Sequence, residues 1–171
     1  SKVSSEKFAV FYIDVDQFKI INDTCGHAAG DVFIKELAHE LYEVFDPKWI
    51  FARLSADEFG LIVEYNDESR INAPIETIFS QVRNFEFKWD RHRFSQSVSI
   101  GIARRELNAA DAEELLSFAD TACIVAKESG RDKVHEFSKD MNTKNSYERE
   151  LYWVNEVTRA LKEDSFELYF Q

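Results

Sequence analysis

The residues best equipped for chemistry are acids placed where strands end. Asp14 and Asp16 close the run "FAVFYIDVD" over residues 8–16. Asp57 and Glu58 stand in "RLSADEFG", residues 53–60, between two runs that read as strands. Side chains alternate along a strand, so Asp14 and Asp16 share a face if the strand continues past them. If the strand ending at Asp14 neighbours the one beside Asp57, those two carboxylates meet. Two carboxylates and a backbone carbonyl suit Mg2+, which wants hard oxygens and keeps waters of its own. Lys19 follows soon after the first acids, and Lys127 and Arg131 stand at the end of a helix. A metal with Lys and Arg around one spot is what a triphosphate needs. Taken singly, each feature also has a plain structural reading. Acid pairs in turns are commonly solvated, and helix-end cations answer the helix dipole. Asn22 and Asp31 suit turns and helix starts, and His27 suits packing or hydrogen bonding.

The elements that must position these groups are legible from periodicity. Residues 8–16 read as a buried strand. Residues 17–31 read as a short helical turn and a Gly-containing connection. Residues 31–45 carry Val32, Phe33, Leu37, Leu41, Val44 and Phe45 on one stripe of an amphipathic helix, with Pro47 after its end. "WIFARL" and "FGLIVEY" make a hairpin. Residues 69–85 read as a second amphipathic helix, with Pro74 tolerable only near its first turn. Residues 86–103 read as strand, turn, strand. Residues 111–130 read as a helix opened by Asp111 and Glu114 as a capping box and closed by Gly130. "KVHEF", residues 133–137, is a short strand. The order β-α-α-β-β-α-β-β-α-β predicts an α+β sheet with helices packed on it.

Beyond residue 138 the character changes. Tyr147, Leu151, Val154, Thr158 and Leu161 recur at three- and four-residue spacing, which predicts one exposed helix with a narrow apolar stripe. "SFELYFQ", residues 165–171, reads as a strand with no partner. A second domain is therefore expected to begin near Ser146, and the sequence reads as a piece of a longer protein. The 171 residues are 44% hydrophobic and 14% aromatic, a packed globular composition. A net charge of −11 argues against general nucleic-acid or anionic-membrane binding. Cys25 and Cys123 stand alone in ordinary patterned segments, as packing thiols of a reduced cytoplasmic protein do. No signal peptide or long apolar run is present. A membrane-tethered parent stays compatible with this, with no direct membrane contact from these residues.

Taken together and in order, "DVDQFKIINDTCGHAAGD", "RLSADEF", "SVSIGIA" and "ADTACIVAKESGRDKV" resemble the pattern of GGDEF domains, the diguanylate cyclase family. The resemblance covers about residues 8–138. The tail "LYWVNEVTRALKEDSFELYFQ" looks like the entry helix and first strand of an EAL domain, the cyclic di-GMP phosphodiesterase family. The implied organisation is a GGDEF domain over 1–138, a linker or EAL entry helix over 139–163 and the first EAL strand over 164–171. The implied fold is nucleotidyl-cyclase-like: α+β, with a central antiparallel or mixed sheet flanked by helices. The implied reaction joins two GTP-loaded domains, each offering a 3′-hydroxyl to the partner's α-phosphate. On that resemblance Asp14, Asp57 and the Val15 carbonyl hold Mg2+ or Mn2+, and Asp57 and Glu58 are catalytic. Asn22 and Asp31 bind the guanine edge. Lys19, Lys127 and Arg131 bind phosphates, which lie against the backbone of Ser55 and Ala56.

Two departures qualify the match. The family's turn is Gly-Gly before the acids, and here it is Ser55-Ala56. Glycine reaches positive φ and lets a ligand come close, so a Cβ on Ala56 is expected to clash or to force a different turn. The family's product-inhibition site, RxxD, should begin near Asp46, where "DPKW" stands instead. No cyclic di-GMP binding is expected there. The reading that follows is a degenerate GGDEF domain with lost or very weak cyclase activity. It binds GTP and regulates a downstream EAL phosphodiesterase. It pairs as a homodimer through the GGDEF face, the EAL domain or both. An active cyclase that tolerates the turn, or a nucleotide-free dimerisation scaffold, are the alternatives.

Overall fold

The structure, a computed structural model, describes residues 7–105 and 112–138. Strand β1 (Lys7–Val15) leads to helices α1 (Lys19–Cys25) and α2 (His27–Val44). The hairpin β2 (Ile50–Arg53) and β3 (Glu58–Tyr65) follows. A single 3-10 turn, Glu68–Ile71, then leads into α3 (Asn72–Asn84). Three strands come next: β4 (Phe87–Trp89), β5 (His92–Phe94) and β6 (Val98–Arg104). Helix α4 (Ala112–Glu128) and strand β7 (Val134–Glu136) complete the described chain. The main sheet has the order β2-β3-β1-β6-β7, antiparallel except where β7 runs parallel to β6. This is the expected α+β architecture with a mixed sheet.

The fold corrects four expectations in detail. Residues 86–103 hold three strands, not two, because β4 and β5 form their own small ribbon beside the main sheet. Helix α2 starts at His27, four residues before the expected start, and Gly26 alone, at φ 84°, separates it from α1. Val44 is 44% exposed and leaves the expected apolar stripe, while Phe45 turns inward as the chain becomes extended. His27 is exposed rather than packed. Pro74 sits in the first turn of α3, where its missing N–H costs nothing. Asp111 and the linker and strand expected over 139–171 lie outside the described residues.

Alternation along β1 divides the molecule into two layers. Ala9, Phe11, Ile13 and Val15 face the main core with Phe33, Leu37 and Leu41 of α2, Ile78 and Val82 of α3, and Phe59 and Leu61 of β3. Phe33 anchors this layer, its ring 5.3 Å from Phe87 and 5.5 Å from Phe85. Val10 faces the other way, toward Leu115, Ala119 and Ala122 of α4 and toward Phe137. Phe137 stacks on Phe118 with centroids 4.3 Å apart. Helix α4 reaches the sheet this closely because Gly101 of β6 has no side chain. A Cβ there would lie 1.9 Å from the Ala119 carbonyl oxygen.

Candidate functional site

The α4 side of β1 becomes polar toward its C-terminal end. Tyr12 and Asp14 follow Val10 on that face, and Asp14 lies between Glu58 of β3 and Ser99 of β6 in the sheet register. Asp14 is 4% exposed. Lys127, from the last turn of α4, donates from Nζ to Asp14 Oδ2 at 2.5 Å. Burial pushes the Asp14 carboxyl up to about 6, with Asp57 and Glu58 adding to the rise, although Lys127 opposes it. Burial also lowers the Lys127 ammonium, but the hydrogen bond and charge of Asp14 outweigh it and raise the group overall.

Other acids share this field. Asp57 is raised by burial and then by Glu58, against Lys127 and Arg53. Asp120 of α4 is raised by burial and by Glu58. The Tyr12 hydroxyl is raised by burial and by its hydrogen bond with Glu58. Burial pushes the Cys123 thiol up to about 12, and its Sγ donates to the Ser99 carbonyl at 3.3 Å. Four carboxyl groups and one ammonium therefore share a small region in which positive charge is in deficit. A cation placed among them would lower the raised carboxyls of Asp14, Asp57 and Asp120.

The turn between β2 and β3 forms one wall. Arg53 donates from Nε to the Ser55 carbonyl at 2.8 Å and from Nη2 to the Ala56 carbonyl at 2.7 Å. Ser55 Oγ donates to Glu58 Oε2. The Leu54 amide donates to the Glu58 carbonyl at 2.8 Å, and the Val15 amide to the Asp57 carbonyl at 3.0 Å. Neither Ser55 nor Ala56 is among the residues at positive φ. The turn closes on itself with no residue from Leu54 to Asp57 at positive φ.

Asn22 reaches across the α1–α2 junction to Gly30, the residue before Asp31. The Asn22 side chain lies over Gly30, and a Cβ there would be 2.0 Å from Asn22 Oδ1. Asp31 is the next residue and is exposed. Lys19 opens α1, and Arg131 follows α4 at φ 57°. Among the described residues Lys19, Asp31 and Arg131 make no side-chain hydrogen bond or ion pair, so their charged ends face solvent. Asp46 uses its carboxylate to accept the Lys48 amide at 2.9 Å, as a turn residue does.

The geometry thus gathers Asp14, Asp57, Glu58 and Lys127 directly. It commits Lys127 to Asp14, a pairing that sequence spacing alone did not suggest. Sequence reasoning missed Tyr12, Asp120 and Arg53. Two signals could have found the first two. Tyr12 precedes Asp14 by one strand period, and Asp120 precedes Lys127 by two helical turns. Arg53 carried no such signal.

Fold and site together define a nucleotidyl-cyclase-like α+β domain. The chain belongs to the GGDEF family: the family described as "Diguanylate cyclase, GGDEF domain" matches residues 1–133. It is 32% identical to the cyclic di-GMP phosphodiesterase PdeB of Shewanella oneidensis over 169 residues, 98% of this chain and 20% of that protein. It is 33% identical to the probable diguanylate cyclase DgcE of Escherichia coli over 159 residues, 93% of this chain and 14% of that protein. The chain thus spans a fifth or less of the length of these two relatives. The crystal structure of the GGDEF domain of YfiN from Pseudomonas aeruginosa superposes with a TM-score of 0.72 at 30% identity, covering 78% of this chain and 83% of that one. The chain is thus a GGDEF domain of cyclic di-GMP signalling. Among the described residues no helix is long and apolar enough to cross a membrane.

Proposed function

We propose that this domain binds GTP with Mg2+ or Mn2+ and acts as a regulatory module of a longer protein, with cyclase turnover lost or very weak. The observation that carries this reading is the state of Glu58. Its carboxylate accepts from Ser55 Oγ in the turn. The acids that would hold the metal lie together, while Glu58, which would stand beside the reacting hydroxyl, is occupied by its own turn.

The donor set fits a divalent cation. No group of three or more His, Cys, Asp or Glu side chains among the described residues converges as a metal cage. Mg2+ does not need one, since it is commonly held by one or two carboxylates with waters and phosphates. Asp14, Asp57 and the Val15 carbonyl would hold it. Bound there, the cation supplies charge neutralisation for the phosphates. Asn22 and Asp31 would take the guanine edge, and Lys19 and Arg131 the phosphates. Lys127 would serve the phosphates from its place on Asp14.

The match to PdeB extends over nearly the whole chain, including most of residues 139–171. This supports an EAL domain after the entry helix, with GTP biasing its pairing through differential affinity for two states. Homodimerisation would pass through the GGDEF face, the EAL domain or both, with the parent in the cytoplasm or tethered to a membrane.

Calorimetric titration with Mg2+ and GTP, with ATP as control, tests the reading. Selective GTP binding without a cyclic product is the expected result. Turnover to cyclic di-GMP would make the domain an active cyclase, and no binding at millimolar GTP would leave a scaffold. Asp14→Ala is expected to abolish GTP binding while the fold persists; retained affinity would overturn the metal assignment. Ala56→Gly is expected to raise affinity or restore turnover.

A further inference from the structure

Asp16 is the buried acid that the proposed chemistry leaves unused. It is 3% exposed. Its Oδ1 accepts from Ser99 Oγ at 2.7 Å, and its Oδ2 accepts from Ser97 Oγ at 2.6 Å and from the Asp132 amide at 3.1 Å. Its own amide donates to the Ser97 carbonyl at 2.9 Å. Among the described residues no cation contacts it. Burying a carboxylate on neutral donors costs free energy that an apolar side chain would avoid. Two of the donors, Ser97 and Ser99, only tie β1 to β6, which the sheet register already does. The third reaches outside the sheet, to the loop after α4.

That loop is unusual in its backbone. Arg131 and Asp132 are consecutive residues at φ 57° and 47°, and neither is glycine. Such angles cost on the order of 1–2 kcal/mol per residue and persist only where the surroundings impose them. Here the Arg131 amide donates to the Ala126 carbonyl at 3.2 Å, closing the helix. The Asp132 amide is then held by Asp16. Arg83 takes the Asp132 carboxylate at 2.9 Å from the far side. The Arg131 side chain leaves the loop from this fixed point, with no partner among the described residues.

We infer that Asp16 is a positioning residue for Arg131, holding the loop in the left-handed conformation that aims the guanidinium at the phosphates. Two acids one strand period apart then govern both cations of the α4 terminus. Asp14 takes Lys127 by its side chain, and Asp16 takes Arg131 through the next residue's amide. The inference rests on the reading that Arg131 contacts the phosphates of GTP.

The test is a double-mutant cycle on the full chain, with Mg2+-GTP and Mg2+-GMP affinities read by calorimetry. Asp16→Asn is expected to weaken GTP by about ten-fold, the scale of one charge-assisted hydrogen bond. Arg131→Ala should do the same, and the double variant should lose nothing further. GMP affinity should stay unchanged, because the outer phosphates are missing from it. A merely structural role would weaken both nucleotides alike. Equal loss for GMP, or additive losses in the double variant, would overturn the inference. If Asp16→Asn does not fold, Ser97→Ala decides by the same pattern at about two- to three-fold, since it removes one donor and leaves the carboxylate. Exchange of the Asp132 amide proton gives a readout independent of nucleotide. It should be protected in the native chain and at least about ten-fold faster without the Asp16 acceptor. Should the native chain bind no GTP, the nucleotide reading fails alone. An unprotected Asp132 amide sinks the positioning role.

Discussion

Two turns flank the end of β1, and they solve opposite problems. The turn from Leu54 to Asp57, where the sequence resemblance expects two glycines, needs no left-handed residue. The loop from Ser129 to Asp132 places two non-glycine residues in the left-handed region directly after Gly130. The first is held by an exposed arginine on its carbonyls, the second by a buried carboxylate on its amide. Glycine is thus a poor guide to backbone shape when a charged side chain stands ready to fix the turn. A lost glycine does not mean strain, and strain does not require a glycine.

The sharpest way to break the comparison is Asp132→Pro. Proline cannot reach positive φ and has no N–H for Asp16, so the loop should lose about 3 kcal/mol or more. Thermal unfolding should then begin about 6–12 °C lower for a chain of this size. Arg53→Ala attacks the other turn and should cost about 1–2 kcal/mol in a denaturant titration, because the freed carbonyls can be hydrated. Ala56→Gly adds freedom the turn does not use. It should destabilise the fold by about 0.4–1 kcal/mol, whatever it does to nucleotide affinity. A stabilising effect in the same titration would place hidden strain at Ala56. Asp132→Gly should have the smallest effect, within about 0.5 kcal/mol of neutral. Relief of the left-handed backbone there offsets greater chain freedom and the loss of an exposed ion pair. A large loss would mean that the pair with Arg83, not Asp16, holds the loop.

Much of the fold was legible in the sequence because its strands and long helices are strongly periodic. β1, the β2–β3 hairpin and α4 all lie where their patterns place them. The β4–β5 ribbon escaped notice because three-residue strands are too short to show a period. The early start of α2 was hidden by Gly26 and Gly30, which read as connection. Gly30 is in fact helical and bare because Asn22 lies on it. The acids of the site were legible as types and spacings. Their partners were not, since Lys127 meets Asp14 across 113 residues of sequence. The departure at Ser55-Ala56 was visible, but periodicity did not show that Arg53, the last residue of β2, folds back onto the carbonyls two and three residues ahead.

Gly101 has a mechanical consequence. With the Ala119 carbonyl and the Cys123 amide seated in the space a side chain would fill, α4 is keyed to β6 like a shaft in a slot. It can neither slide along the sheet nor roll on it without lifting off. Asp120, Cys123 and Lys127 therefore travel with Asp14 as parts of one rigid plate. A push on this helix would be delivered as a displacement of the whole plate, with the β2–β3 turn carried along through the Val15–Asp57 hydrogen bond.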